Sequence, residues 1–201
     1  MALITLPTKF SFGRVNKWGL DRAGNVLRSR YTGSRQAIVY PYAVWTFDGD
    51  LIDYPEPEAS AIRAFITALE GVGNTFNLPV PGYNGPSGGY VGNGAVNTAA
   101  VVGANTLSVK NLPASTKVLI AGEYFMVNGE LKMLTADVNT TAGGIGTFNF
   151  EPSLRAAAAV NAVVTLQAPY CTMAADDDDV GIFSISPPVR HSVKIKCSEA
   201  F

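Results

Sequence analysis

The pair Asn128-Gly129 constrains the fold of this chain more than any other feature of its sequence. It stands between two apolar-alternating runs, and Asn-Gly is the preferred pair for a two-residue type I′ hairpin turn. The cross-strand pairs that such a loop predicts are Tyr124–Met133, Phe125–Lys132, Met126–Leu131 and Val127–Glu130. One face of this hairpin is therefore apolar and the other is mixed, the pattern of a half-buried antiparallel pair.

The hairpin lies inside a longer β-rich segment, Asn105–Pro169. Five short β-type runs follow one another there, each ended by Gly, Asn or Pro, and no helical pattern interrupts them. Before this segment, residues 79–94 read PVPGYNGPSGGYVGNG, a composition typical of a connector. A phosphate-binding loop is excluded there, because no Gly-Lys-Ser/Thr ending and no helix follow. We therefore expect a small closed β-unit that is reached through a Gly-rich boundary.

The N-terminal part of the chain predicts a basic hairpin over Arg14–Tyr31. Its strands are residues 14–20 and 26–31, and the sequence DRAGN at 21–25 forms the loop. Two interpretations remain open: a solvated edge hairpin, protected by its charge, or an arm that docks on a neighbouring subunit. The candidate interface residues for the second interpretation are Arg14, Lys17, Trp18, Arg28 and Arg30.

A β run and a helix follow this hairpin. Ala37–Asp53 is rich in β-branched and aromatic residues, and Pro41 within it indicates an edge position or a bulge. A helix is expected from Tyr54-Pro55 to about Gly71, with Pro and Glu in its first turn. Its single apolar stripe covers one face of a sheet and consists of Ala59, Ile62, Phe65, Ile66 and Leu69. Residues 75–80 then predict another strand.

The C-terminal region begins with four adjacent carboxylates, Asp176–Asp179. We interpret them as an exposed acidic turn, with metal binding or docking onto a neighbour's basic hairpin as alternatives. Two β runs follow, residues 180–186 and 189–197. Two strands cannot bury themselves alone, so this tail must rejoin the first segment's sheet. The predicted domains are therefore 1–82 with 170–201, a discontinuous assembly domain, and 83–169, an insertion.

No catalytic or metal-binding constellation is present in the sequence. The single histidine, His191, falls in a plain strand where we expect it to be packed, so no enzyme activity and no cofactor are predicted. The chain has 15 basic and 16 acidic side chains, which implies no general attraction to nucleic acid. No apolar run is long enough for membrane insertion, and no secretory signal is recognised. We expect a protein made in the cytoplasm, with Cys171 and Cys197 reduced.

Several strings within the insertion carry a resemblance to a known family. They are Gly103–Leu107, Leu112-Pro113, Val118–Phe125, the strand after Asn128-Gly129, and Glu151–Arg155. With the helix after an aromatic strand and the C-terminal return to the first sheet, the chain resembles the distal tail proteins of long, flexible-tailed bacteriophages. The resemblance follows the layout of nearly the whole chain. It does not include the basic hairpin.

The resemblance implies a mainly β fold: a discontinuous β-sandwich with one α-helix, plus an inserted small barrel similar to an oligonucleotide/oligosaccharide-binding (OB) fold. It also implies a structural virion protein at the tail tip. Six copies would form a ring that joins the tail tube protein to the tail-tip or baseplate hub protein. The alternative is a carbohydrate-binding module for a host surface glycan, with Tyr83 and Tyr90 as exposed aromatic contacts.

Overall fold

The computed structural model describes residues 1–7, 13–177, 184–186 and 190–201. The elements of this part of the chain are β1 (Leu3–Ile4), β2 (Arg14–Arg28), β3 (Arg35–Tyr54), α1 (Glu56–Leu69), β4 (Thr75–Pro79), β5 (Asn93–Val96), β6 (Thr106–Lys110), β7 (Lys117–Leu119), β8 (Tyr124–Val127), β9 (Glu130–Leu134), β10 (Val138–Asn139), β11 (Gly146–Glu151), β12 (Val163–Thr165), β13 (Tyr170–Ala175), β14 (Ser184–Ser186) and β15 (Arg190–Glu199). The chain is mainly β and includes a closed barrel, which agrees with the predicted β-sandwich with one helix and a small barrel.

A seven-stranded sheet has the order β1-β4-β13-β15-β3-β2, and β14 pairs with β15. The C-terminal strand β15 runs antiparallel to β3, from His191 opposite Tyr54 to Ser198 opposite Thr46. This pairing confirms that the C-terminal tail rejoins the sheet of the first segment. Residues 178–183 and 187–189 lie outside the described residues. They include Asp178 and Asp179 of the predicted acidic turn and parts of both predicted C-terminal β runs.

The N-terminal hairpin differs from its prediction. β2 is one 15-residue strand that passes straight through the DRAGN sequence, and it pairs with β3 from Arg14 opposite Asp50 to Arg28 opposite Arg35. The predicted loop at residues 21–25 is therefore wrong, and the turn lies at residues 29–34. Long-range pairing with β3 outweighs the local turn propensity of Asp, Gly and Asn, which the ladder accommodates through an irregularity between Arg22 and Gly24.

That irregularity confirms the expectation for Pro41. Arg22 is opposite Ala43 and Gly24 is opposite Val39, so Ala23 alone faces residues 40–42 on β3. Proline donates no backbone hydrogen bond, and a bulge is where a strand tolerates it.

The helix packs through the predicted stripe. α1 spans Glu56–Leu69. Pro55 is its N-cap residue, and the helix ends where Glu70 takes a left-handed conformation with φ of 51°. The stripe residues are all buried: Ala59, Ile62, Phe65, Ile66 and Leu69. α1 contacts β1 and β15, so it covers one face of the sheet as expected. No helix in the described part of the chain has the length and apolarity to cross a lipid bilayer.

The barrel is closed by six antiparallel strands in the order β11-β6-β5-β12-β8-β9. An OB fold has five strands. Seven strands rather than five lie between Asn105 and Pro169, because the short β7 and β10 pair with each other beside the barrel. β5 comes from the end of the segment that we interpreted as connector. Phe125 fills the centre, with its ring centroid 5.1 Å from that of Phe148 and 5.3 Å from that of Phe150.

The β8–β9 hairpin has the register that Asn128-Gly129 predicts, with all four cross-strand pairs in place. Asn128 and Gly129 both have positive φ, 53° and 80°, as a type I′ turn requires. Its burial, however, is the reverse of the expectation from polarity. The mixed-face residues Phe125, Val127, Glu130 and Lys132 are all buried, whereas Leu131 is the only buried residue of the apolar face and Tyr124, Met126 and Met133 are half-buried.

Two compact units make up the chain. One comprises Met1–Thr75 and Ala174–Ala200, and the other comprises Phe76–Met173 with Phe201. The division is discontinuous, and its boundaries lie outside the residues 83 and 169 that the sequence suggested. The entering and leaving segments of the second unit are hydrogen-bonded to each other, since Thr172 Oγ1 donates to Asn77 Oδ1 over 3.0 Å. They therefore belong to the same unit as the barrel.

Candidate functional site

The feature with the clearest functional implication is the far end of the β2–β3 hairpin, residues 22–43, which we call the distal ribbon. β15 pairs with β3 only from residue 46 onward. The distal ribbon is consequently two-stranded, and its ladder runs from Gly24–Val39 to Arg28–Arg35. An isolated two-stranded hairpin is only marginally stable in water.

Hydrogen bonds order the tip of the distal ribbon. Ser29 N–H donates to the Ser34 carbonyl oxygen and Gly33 N–H donates to the Ser29 carbonyl oxygen, both over 3.0 Å. The Ser29 hydroxyl oxygen also accepts the amide of Thr32 over 3.2 Å. Gly33 has φ of 68°, a left-handed conformation that glycine adopts without steric cost. The tip is thus a defined turn that presents its neighbours in fixed positions.

Large apolar and aromatic side chains of the distal ribbon are exposed. Cross-strand neighbours share a face, so Val26 and Val39 lie on one face, whereas Leu27 and Ile38 lie on the other. Tyr31 at the tip is 99% exposed and Val39 is 72% exposed. Exposed apolar side chains that are grouped in one segment make that segment a candidate interaction site. Sequence reasoning missed Val39, Tyr40 and Tyr42, because the β pattern of residues 37–53 does not show which of its side chains remain uncovered.

The five candidate interface residues are divided between two ends of the hairpin. Arg14 is opposite Asp50 and Lys17 is opposite Asp48, so both have an acidic residue of the same chain directly across the ladder. Trp18 is half-buried and stacks on the buried Trp45 with ring centroids 5.4 Å apart. Arg28 and Arg30 are exposed near the tip. Arg14 and Arg28 are separated by 14 residues of strand, roughly 45 Å at about 3.3 Å per residue.

The tip carries a third arginine that the sequence interpretation did not include. Arg35 lies directly across the ladder from Arg28, and like charges in that position are destabilising. No carboxylate of the described residues lies within ion-pair distance of Arg28, Arg30 or Arg35. The signal for Arg35 was its position directly after the turn, which can be recognised only once the turn is placed at residues 29–34.

The two candidate glycan-binding tyrosines have packing roles. Tyr83 is half-buried, its hydroxyl donates to the Leu166 carbonyl oxygen over 3.3 Å, and its ring lies edge-on to Tyr124. Burial, with the charge of Glu123, raises the pKa of Tyr83 above its usual value. Tyr90 packs against the barrel core, and its hydroxyl donates to the Asn111 carbonyl oxygen over 3.0 Å. The exposure expected for these rings is therefore not what the structure has.

Two buried carboxylates hold loops onto the barrel. Glu130 lies 2.6 Å from Lys132 Nζ, and its oxygens accept the amides of Arg155 over 3.0 Å and Ala156 over 2.8 Å. Burial alone would raise the pKa of Glu130, but these hydrogen bonds and the Lys132 charge lower it below its usual value. Glu123 accepts the Ser87 amide over 2.7 Å and the Ile120 amide over 2.9 Å. The hydrogen-bond and ion-pair partners described for both carboxylates belong to the barrel and its loops.

His191 and the cysteines are interior residues. His191 is 4% exposed, and its Nδ1 lies 3.4 Å from Arg63 Nη1, which confirms that the histidine is packed. Cys171 and Cys197 are free and buried, and burial raises the pKa of the Cys197 thiol, with Asp176 and Asp48 adding to the shift. Within the described ranges, no group of three or more His, Cys, Asp or Glu side chains is arranged to hold a metal ion.

Comparisons with known proteins do not add a family to this picture. No protein-family model matches the chain, and no curated protein matches it significantly.

Proposed function

We propose that this chain is a structural virion protein whose copies assemble into a ring at the tip of a long-tailed bacteriophage. The ring, of six copies, joins the tail tube protein to the tail-tip or baseplate hub protein. The single observation that carries the proposal is the distal ribbon, a two-stranded projection with exposed apolar residues on both faces. Such a projection gains stability when a partner covers it.

The composition of the distal ribbon supports a protein partner. Protein interfaces are enriched in Tyr, Trp, Phe, Met and Arg, and energetic hot spots favour Tyr, Trp and Arg. The 22 residues of the distal ribbon include four arginines and three tyrosines. Tyr31, Tyr40 and Tyr42 are all at least half exposed. The ordered turn at the tip lowers the conformational entropy that binding would otherwise cost.

The proposal gives the chain no catalytic step. His191, on which any Ser/His/Asp or Cys/His arrangement would depend, is buried beside Arg63. The charged side chains in the barrel interior, Glu130 and Lys132, pair with each other and with loop backbone. These arrangements are those of a scaffold, which is what a tail adaptor requires.

Sedimentation and negative-stain electron microscopy of the purified full chain test this function. We expect closed rings of six copies, formed by the protein alone or after addition of the tail tube and hub proteins of the same virus. A strict monomer that binds neither protein would overturn the proposal. Truncation of the distal ribbon to a short turn serves as the control, and we expect that variant to remain folded and monomeric.

A further inference from the structure

We propose that the distal ribbon docks on a second copy of this chain, with its tip arginines against the acidic stretch Asp176-Asp177. The inference rests on the proposed self-assembly and names the two surfaces that meet. It starts from the like-charged pair Arg28 and Arg35, which face each other across the ladder. Arg30 adds a third positive charge in the turn between them. An anionic surface above the tip removes the mutual repulsion of these side chains.

The distribution of charge along the chain identifies the class of partner. The distal ribbon contains Arg22, Arg28, Arg30 and Arg35 and no acidic residue. The rest of the chain therefore has 11 of the 15 basic and all 16 acidic side chains. A second copy thus offers a net negative surface to the ribbon of the first. Guanidinium groups bind carboxylates in a bidentate geometry, so arginine suits this contact better than lysine.

Asp176 and Asp177 provide exposed carboxylates in the same unit as the ribbon. Asp176 follows β13, and its amide donates to the Lys196 carbonyl oxygen of β15 over 3.1 Å, which fixes its backbone. Ser198 Oγ donates to one carboxylate oxygen of Asp176. Adjacent carboxylates repel one another, and cationic partners stabilise them.

The exposed apolar side chains indicate that the partner of the distal ribbon is a protein and not a nucleic acid. Val26, Leu27, Ile38 and Val39 are each at least 39% exposed. Phosphate contacts would engage the arginines and leave these side chains in water. A second copy of the chain covers both kinds of residue. Because the ribbon and the acidic stretch are different surfaces, the contact is head-to-tail, and such contacts close into a ring when the rotation allows it.

The test is a charge exchange between the two surfaces, followed by sedimentation velocity and electron microscopy. The ribbon variant is Arg28→Glu/Arg30→Glu, and the acidic-stretch variant is Asp176→Arg/Asp177→Arg. Each variant alone should self-associate at least about tenfold more weakly than the wild type. An equal mixture should assemble again, because each reversed surface then meets its complement. A chain that carries all four changes should also assemble.

A matched control separates this contact from a change in net charge. Lys110→Glu/Lys117→Glu alters the charge by the same amount as the ribbon variant, but on the barrel, and should assemble like the wild type. Circular dichroism and thermal unfolding establish that every variant is folded. For a ribbon variant that does not fold, Arg28→Gln/Arg30→Gln replaces it, and weakened assembly is again expected.

The outcomes distinguish this inference from the function on which it rests. A ribbon variant that assembles like the wild type overturns the inference and leaves the ring intact. The same is true if both variants fail alone and the mixture does not restore assembly. Binding of the wild type to double-stranded DNA that is lost in the ribbon variant, with assembly unchanged, would assign the arginines to nucleic acid. Failure of the wild type to assemble under any condition removes the proposed function itself.

Discussion

Among the described residues, Lys132 is the most deeply buried charged side chain. Its side chain is 0% exposed inside the barrel, and its ammonium group lies 2.6 Å from Glu130 and 2.8 Å from the Ser153 carbonyl oxygen. A lone buried charge would be expensive, and the carboxylate with the carbonyl offsets most of that cost. The pair also holds the loop at Ser153–Ala156, whose amides donate to Glu130. Its role is to fix this loop to the barrel.

Removal of the lysine should be strongly destabilising. Lys132→Met leaves Glu130 buried without its cation, which we expect to lower the free energy of unfolding by about 3–5 kcal/mol. Lys117 provides the matched control, since it forms an ion pair of the same 2.6 Å length with Asp137 but on the surface. Lys117→Met should change stability far less. Urea unfolding measures both, and equal losses would contradict this account of Lys132.

The lowered pKa of Glu130 makes an acid-dependent prediction. Because its folded-state pKa is below the unfolded value of about 4.3, the group contributes stability that is present above that value. This stability is lost as the pH falls through the lower, folded-state pKa. Glu130→Gln should therefore be less stable than the wild type at neutral pH, and its urea midpoint should fall less on acidification. Midpoints measured from about pH 6 to about pH 3 test this, and parallel curves would exclude it.

None of the polar contacts of Lys132 follows from the local sequence. Asn128-Gly129 fixes the register of the hairpin, and the cross-strand pair Phe125–Lys132 is present as expected. Which face is buried depends on Phe148 and Phe150, and on the loop carbonyl of Ser153, all more than 15 positions along the chain from Lys132. Polarity alone favours the opposite face. Local pattern therefore determines pairing here, and tertiary contacts determine burial.

Among the elements, the Gly-rich segment before the barrel has more order than its composition indicates. Glu123 accepts hydrogen bonds from both the amide and the hydroxyl of Ser87, and also from the amide of Ile120. Tyr83 and Tyr90 place their hydroxyls on backbone carbonyls of the same unit. The segment whose composition predicts a flexible connector is therefore hydrogen-bonded to the rest of its unit at Tyr83, Ser87 and Tyr90.

Loss of the Glu123 carboxylate should loosen this segment while the barrel persists. In Glu123→Ala, we expect amide hydrogen exchange at Ser87 and Ile120 to rise by at least about tenfold, because each amide loses its acceptor. Glu151→Ala is the control, since Glu151 accepts a hydrogen bond from the Asn105 side chain over 2.8 Å. Exchange at Ser87 and Ile120 should be unchanged in that control. An unaltered exchange pattern in Glu123→Ala would show that other contacts hold the segment.

The helix and the N-terminal hairpin show where element prediction succeeds and where it fails. The apolar stripe of α1 depends on residues three or four apart, and all five of its members are buried as expected. The DRAGN sequence contains turn-forming residues, yet it continues as strand because β3 supplies a partner for each of its residues except Ala23. The competing partner begins at Arg35, beyond the window that local propensity reads. The exposed faces of the distal ribbon were missed for this same reason.

At the scale of the whole molecule, the sequence predicts where the C-terminal strand pairs, but not the full strand order. The return of β15 to β3 follows from the inability of a short tail to bury itself. The strand order β1-β4-β13-β15-β3-β2 cannot be predicted from local patterns. Within this order, only β2 and β3 are consecutive in the chain, and every other pair of neighbouring strands is separated by at least one further element. The near-neutral total charge also conceals a local imbalance, since residues 22–43 contain four arginines and no acidic residue.

The bulge at Pro41 bears on how far such a chain can polymerise. Exposed strand edges invite further strands, and proteins that leave them open risk growing into fibres. On β3, an added strand could pair along the free edge from Arg35 only as far as Val39, where the ladder breaks and the proline offers no donor. Endless edge-to-edge stacking is thereby discouraged. One proline thus lowers the tendency of this strand to aggregate through its free edge.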